Sequence, residues 1–311
     1  MTQQLFQPRR ALGRTGFRAT QLGIGDVADR RLPLAQLVAT VRRALDAGLN
    51  LVDTAPGYEQ GYSEEIVGQA LQGRRDQVFV IDKIDHAEQP VLPQIEASLK
   101  RLQMDHTDLF VFHNLSTLEA WSALTSPGGG MEQLAQAVQT GKTRFMGISS
   151  HHPAVLAAAI PSGLLDVVMF PVGPYVDWQY IEDILPLAHK HHVGTVCFKA
   201  FGAGKLLGDT SGYNQPLQDR PRGKLSSGGE AADTPLLPRL SVQQCLHYTL
   251  TCDPDVTLLG LSFPNEQDAA FAAAQTFTQP LAQAQMAAIR QLAVEAIANK
   301  GPCWWNPVEK H

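Results

Sequence analysis

The 311-residue sequence predicts an α/β fold, a (β/α)8 TIM barrel with an N-terminal β-hairpin and an extra C-terminal helix. Three observations predict it. Eight short apolar runs lack the polar alternation of half-exposed strands, which is the pattern of parallel strands buried on both faces. Spacers of helical period separate most of them. Asp53, Lys83 and His113 stand at thirty-residue intervals, each at or just after the end of such a run ("LNLVD", "VFVIDK", "LFVFH"). In a parallel barrel that place is the carboxyl-terminal mouth, where residues of different strands converge on one pocket. Such a barrel takes ~250 residues and more with insertions, so residues 1–311 are expected to form one barrel domain.

In chain order, "RRALGRTGFRATQLGIG" reads as a short hairpin around "GRTG" leading into a first strand that ends near Gly25. Residues 34–48 put Leu34, Leu37, Val38, Val41, Ala44 and Leu45 at helical spacing and stop at a glycine. A strand over "LNLVDTA" follows, then a helix at 63–72, a strand at 77–83, a helix at 91–104, a strand at 108–113 and a helix at 131–140. After these come "RFMGIS", a helix from 153, "LDVVMFPV", a helix at 178–190, "GTVCFKAF", a helix at 241–252 and "VTLLGLS". Helices at 265–274 and 279–298 carry the chain to its tail. Two stretches break the rhythm. Residues 206–238, rich in Gly, Pro, Ser and charge, form a long loop insertion expected to be either a lid or cofactor strap, or simply mobile. Residues 114–130 are expected to wall the pocket beside His113.

Hydrophobic residues make up 44% and charged residues 18% of the chain, enough to bury a large core. The net charge is -5 and no Lys/Arg run occurs, so nucleic acid is not an expected partner. Cys197, Cys245, Cys252 and Cys303 form no ligand-spaced pairs and are expected to be buried free thiols, with a reducing cytoplasm as the location. No signal-like segment and no stretch of about 18 apolar residues is present, so neither secretion nor a membrane is expected. Partner proteins are not identified by the sequence.

Tyr58 follows Asp53 by five residues in "DTAPGY", near enough to enter the pocket. A phenol, with a reference pKa of about 10, gives up its proton more readily beside an ammonium. Lys83 is the candidate ammonium, Asp53 would keep it charged and aimed, and His113 would donate a hydrogen bond to a substrate oxygen. Such a group can deliver a proton to a carbonyl oxygen, a contribution of roughly 10²- to 10⁴-fold. It needs a hydride donor.

In order, spacing and strand position, Asp53, Tyr58, Lys83 and His113 match the motif of the aldo-keto reductases, and the chain resembles that family from "LGRTGFRATQLGIG" through "GKTRFMGISS" to "TLLGLSFPNEQ". The resemblance implies a nicotinamide cofactor across the barrel mouth, NADP with NAD as the alternative, and a small carbonyl or alcohol substrate, with Tyr58 as the acid. It implies a Ser-Asn pair after the fifth strand, where this chain has Ser149 and Ser150. A Gln near the end of the sixth strand becomes Met169, and the stacking aromatic shortly after it becomes Val172, unless Phe170 or Tyr175 serves. "FKAFGAGKLL" matches the loop over the pyrophosphate, with Phe201, Gly202, Gly204 and Lys205, and Gly25 lies at the end of the first strand. After the eighth strand no Lys or Arg stands where the family grips a 2′-phosphate; Glu266 and Asp268, if they face the ribose, would repel a phosphate and favour NAD, whereas Ser262 and Asn265 can hydrogen-bond a phosphate and Lys205, Arg220, Arg222 or Lys224 could reach over. The alternative within the superfamily is a cofactor-binding regulatory subunit with little turnover, like the potassium-channel β subunits.

His189, His191 and His192 close a helix, where cations suit the dipole, and no metal is expected. His151 and His152 are candidates to face substrate. Trp304 and Trp305 either cap the pocket or pin the chain terminus.

Overall fold

The computed structural model describes residues 4–25, 27, 29–30, 32–208, 237–260, 263–301, 303 and 305–306. Its centre is a closed barrel of eight parallel strands: β3 (Leu22–Gly25), β4 (Leu51–Asp53), β5 (Phe79–Ile84), β6 (Thr107–Phe112), β7 (Thr143–Ser149), β8 (Val167–Pro171), β9 (Gly194–Phe198) and β10 (Val256–Leu259). β10 pairs with β3 and with β9, which closes the ring.

Strand periodicity sorts the side chains. Leu51, Phe79, Ile81, Leu109, Val111, Val167, Met169, Val196 and Val256 pack together inside the barrel. Their neighbours Val52, Val80, Phe110, Phe112, Val168, Phe170 and Cys197 pack outward against helices. Both faces are apolar because both are buried.

The expected hairpin is present as β1 (Arg10–Ala11) and β2 (Arg18–Ala19), paired antiparallel with Arg10 opposite Ala19. It closes the amino-terminal end of the barrel, and Leu12, Ala19 and Phe17 join the inner cluster. The hairpin sits against β9 so closely that a Cβ on Gly13 would lie 2.1 Å from the Gly194 nitrogen.

Around the barrel run α1 (Leu34–Asp46), α2 (Tyr62–Ala70), α3 (Val91–Leu102), α4 (Leu118–Thr125), α5 (Gly130–Gln139), α6 (Pro153–Ala159), α7 (Leu185–Lys190), α8 (Val242–Cys252), α9 (Pro264–Gln275) and α10 (Gln283–Ile297). Within 114–130, where the sequence assigns no element, α4 forms. The Thr117 side chain accepts from the Ala120 N–H, and Trp121 and Leu124 are buried, so a capped helix of two turns forms there. The helix expected at 178–190 begins instead as a π-helical turn, Tyr180–Ile184. Pro186 in the first turn of α7 has no N–H to continue a regular ladder, which accounts for the break.

Of the insertion at 206–238, residues 209–236, with Arg220, Arg222 and Lys224, lie outside the described residues, as do Ser262 and Trp304. Cys197 and Cys245 are buried thiols as expected, whereas Cys252 and Cys303 are only half-buried. No helix of the described residues is long and apolar enough to cross a membrane.

Candidate active site

Asp53, Lys83 and His113 share the parity of the inner side chains on their own strands, Leu51 on β4, Phe79 and Ile81 on β5, Leu109 and Val111 on β6, so the strand period turns all three to the interior. Asp53 ends β4, Lys83 lies near the end of β5, and His113 follows β6 with its backbone N–H donated to the Ile84 oxygen at 3.0 Å. Tyr58 comes from the β4–α2 loop, where a turn returns its N–H to the Ala55 oxygen at 3.1 Å.

Lys83 Nζ donates to both Asp53 carboxylate oxygens and to the Thr54 carbonyl, each at 2.7 Å. Asp53 and Lys83 are each about 2% exposed, so the pair is out of reach of bulk water. The same ammonium stands 4.4 Å from the centre of the Tyr58 ring. Burial opposes the lysine's charge, but the Asp53 carboxylate and then Tyr58 outweigh it, and the Lys83 pKa lies above its ordinary value. The ammonium is therefore a fixed positive charge.

The His113 ring lies edge-on to Tyr58, with ring centres 5.7 Å apart at 80°. Its Nδ1 is bonded to Asp85 Oδ1 at 2.5 Å. Burial works against the Asp85 charge, yet the bond and charge of His113, the Gly57 N–H and Lys83 hold its carboxyl below the ordinary value.

Gly25 pairs in register with Asp53, and a Cβ on it would lie 3.3 Å from Asp53 Oδ2, so glycine keeps that wall thin. Ser149 Oγ accepts from the Asn114 N–H at 2.8 Å and keeps its own proton to donate. The Ser150 hydroxyl instead donates to the Leu115 carbonyl at 2.6 Å and receives the His152 N–H at 3.1 Å, so it serves the loop rather than an amide ligand. Met169 is an inner barrel side chain.

Val172 and Phe170 both pack outward, Phe170 stacked on Tyr180 at 5.8 Å, so neither faces the pocket. Tyr175 is half-buried in the β8–α7 segment. The ring that does pack against the inner cluster at the mouth is Phe198, at the end of β9. Phe201 also departs from expectation: its side chain sits in the outer core with Leu206, so only its backbone is left for a ligand.

After it, Gly202, Ala203 and Gly204 all have positive φ, at 55°, 51° and 89°, in a tight turn over Gly202–Leu207. Lys205 is fully buried there, its ammonium 5.6 Å from the Trp305 ring centre, and Trp305 is itself buried. Glu266 is buried in α9 with Oε2 accepting from the Phe263 N–H at 3.3 Å, while Asn265 is exposed.

His151 is buried, with Nδ1 and Asn114 Oδ1 2.9 Å apart and its ring 5.2 Å from Phe198. Burial, then Lys199 and His113, push its pKa down to about 3, so it stays neutral. His152 caps the start of α6, and His189, His191 and His192 close α7. Among the described residues no group of three His, Cys, Asp or Glu side chains is arranged to hold a metal. Asp85, Asn114 and Phe198 are pocket residues that were not singled out in the sequence. Parity would have found two of them, since Asp85 follows Lys83 by two residues and Phe198 follows Val196 by two.

A charged lysine locked to a carboxylate thus lies against a phenol at the mouth of the barrel, with an imidazole at the phenol's edge. Residues 19–293 match the model of the aldo/keto reductase family, and the chain belongs to that family. The chain is 30% identical over 220 residues to the aldo-keto reductase YhdN of Bacillus subtilis (strain 168), covering 62% of each protein. It is 31% identical over 216 residues to L-galactose dehydrogenase of Arabidopsis thaliana, covering 63% of this chain and 66% of that enzyme. The matches thus span a little under two thirds of both relatives. Among solved structures, an aldo-keto reductase of Klebsiella pneumoniae in complex with NADPH shares the fold, with a TM-score of 0.67 at 20% identity over 95% of this chain and 96% of that one.

Proposed function

We propose that this protein is an NAD(P)H-dependent reductase of aldehydes or ketones, or the dehydrogenase of the matching alcohols, with Tyr58 as the general acid or base. The observation that carries the reading is Lys83: its ammonium is held by both Asp53 oxygens at 2.7 Å and lies 4.4 Å from the Tyr58 ring. A permanent charge in that place favours the phenolate over the phenol and so lowers the barrier to proton donation. His113, at the edge of Tyr58, orients the carbonyl oxygen that receives the proton.

The residues present suit a nicotinamide dinucleotide. Gly202, Ala203 and Gly204 turn the backbone through positive φ after β9, the kind of turn whose N–H groups can cradle an anion, and Lys205 adds charge beside it. Phe198 offers a ring face at the mouth and Ser149 a hydroxyl proton. When bound, the reduced cofactor supplies the hydride. The Klebsiella relative is described in complex with NADPH, and NADP(H) is the cofactor we assign here.

A panel of aldehydes, ketones and sugars followed by absorbance of the reduced nicotinamide tests the activity, and Tyr58→Phe tests the acid. The phenylalanine keeps the ring and loses the proton, so kcat is expected to fall roughly 10²- to 10⁴-fold while cofactor affinity stays near that of the parent. Near-parental turnover by Tyr58→Phe would remove Tyr58 from the role.

A further inference from the structure

We propose that Lys199 is a specificity residue of this site, an ammonium placed to bind a carboxylate on the substrate, so that the preferred substrates are aldehydes or ketones that carry an acid group. The inference rests on the function proposed above and names the substrate class of that site. Lys199 follows β9 directly, at the carboxyl-terminal mouth of the barrel. Its φ of 70° lies in the left-handed region, which a residue with a side chain rarely adopts and which persists only where the surroundings impose it. Here they do. The Lys199 carbonyl accepts the Gly202 N–H at 2.9 Å, and the same oxygen comes so near Gly173, after β8, that a Cβ there would lie 2.8 Å from it. Backbone strain held at a strand end of the mouth points to the side chain it aims.

That side chain is an ammonium between two rings. Nζ lies 5.7 Å from the Phe198 ring centre and 5.8 Å from that of Trp305. Phe198 packs against the inner cluster and has the His151 ring 5.2 Å away. After burial, Lys199 is the largest influence keeping the His151 imidazole neutral, and His113 is the next, so His151 stands within electrostatic reach of both. One wall of the mouth therefore runs from Tyr58 through His113 and His151 to Lys199. A substrate whose carbonyl lies at Tyr58 and His113 extends along this wall over Phe198. The neutral His151 offers it no charge, and Lys199 supplies the positive end. Because Lys199 is half-buried, its ammonium is reachable yet acts with less screening than one in open water. The other anion that enters this mouth is the cofactor's pyrophosphate, and the turn assigned to it holds its own lysine. Lys205 lies 5.6 Å from the Trp305 ring centre and influences Cys303 of the tail, whereas Lys199 influences His151 on the side of the reacting carbonyl.

The test uses short straight-chain aldehydes that end in a carboxylate, over a series of lengths, each against its own methyl ester, which keeps the carbonyl and the chain without the charge. With NADPH as donor, kcat/KM for the best acid should exceed that for its ester about 10- to 100-fold, the worth of one hydrogen bond to a charged group. Lys199→Met keeps the length and removes the charge. It should abolish the preference by raising KM for the acid about 10- to 100-fold, with kcat for the acid and kcat/KM for the ester changing no more than about threefold and the NADPH dissociation constant no more than about twofold. Lys199→Arg should keep the preference, and Lys199→Gln carries the test if Lys199→Met does not fold. Equal kcat/KM for acid and ester in the parent, over the whole series, would overturn the proposal and leave the reductase reading standing. A Lys199→Met protein that binds NADPH weakly and slows acid and ester alike would also overturn it, giving the ammonium to the pyrophosphate. Reduction of neither acid nor ester by the parent would sink the functional reading, and this inference with it.

Discussion

Asp82 stands next to Lys83 in the chain but on the other side of the barrel wall. Its side chain is fully buried, and it faces Glu64 of α2, which is also fully buried and paired with Arg101 of α3. Asp82 Oδ1 accepts the Lys83 N–H at 2.8 Å, while Oδ2 receives no donor. Burial first, and the Glu64 charge second, raise the Asp82 carboxyl well above its ordinary value, so it keeps a proton that Glu64 can accept. The sign follows from linkage. A carboxyl with a raised folded-state pKa contributes stability that is complete below the unfolded value of about 3.9 and is lost as pH rises through the folded value, at about 1.4 kcal/mol per unit of difference. Asp82→Asn keeps an N–H for Glu64 and an acceptor for Lys83 but cannot ionise. In thermal unfolding followed across pH, the variant should gain on the parent as pH rises above 4 and then hold a constant lead. Parallel curves would mean that Asp82 is not the proton-binding group.

At the scale of elements, Gly68 sets two effects against each other. Alanine in a helix interior is favoured over glycine by about 1 kcal/mol. In α2, however, a Cβ on Gly68 would come within 2.2 Å of the Leu102 carbonyl at the end of α3, and backbone cannot yield as a side chain can. The overlap should win, so Gly68→Ala is expected to lose about 1–3 kcal/mol in denaturant unfolding, and a stabilised variant would show that α2 and α3 are not seated this closely. Elements were the most legible level in the sequence: eight buried strands read as apolar runs because both their faces are covered, and α1 and α3 read from their period. α4 did not, because two turns behind a loop-like "NLSTLE" leave too few repeats for a period. At the site, the tetrad was legible because barrel repetition places like positions thirty residues apart. Asp85 has the inward parity of Lys83, but a carboxylate in a loop ordinarily means a solvated turn, and it is the fold that shows His113 as its partner. Phe198 was hidden because the resemblance places the stacking ring shortly after Met169 at the end of β8, whereas here the inward ring comes from the neighbouring strand β9.

For the whole molecule, the choice of cofactor depends on where the chain's two ends of the barrel meet, beyond β10. The sequence alone pits NADP against acidic residues after the eighth strand, and the fold changes the weight of each. Glu266 is buried and turned back to the Phe263 N–H within α9, so its carboxylate does not stand in the open beside a ribose. Asp268 is paired with Arg43 of α1 at 2.5 Å, and the same guanidinium donates to the Pro264 carbonyl at 3.0 Å, which brings a positive charge to the first turn of α9. Asn265 stays exposed at that helix start, where the positive end of the helix dipole suits a phosphate. The two acidic side chains are thus occupied, and the balance favours the 2′-phosphate. Saturating NADPH, at about 100 times its dissociation constant, should stabilise the fold by about 2.7 kcal/mol, which for a chain of this size is a rise in Tm of roughly 5 °C. NADH at the same concentration should give a smaller rise, and kcat/KM should favour NADPH. A tenfold or greater preference for NADH would show that the carboxylates of Glu266 and Asp268 turn toward the ribose once the nucleotide binds.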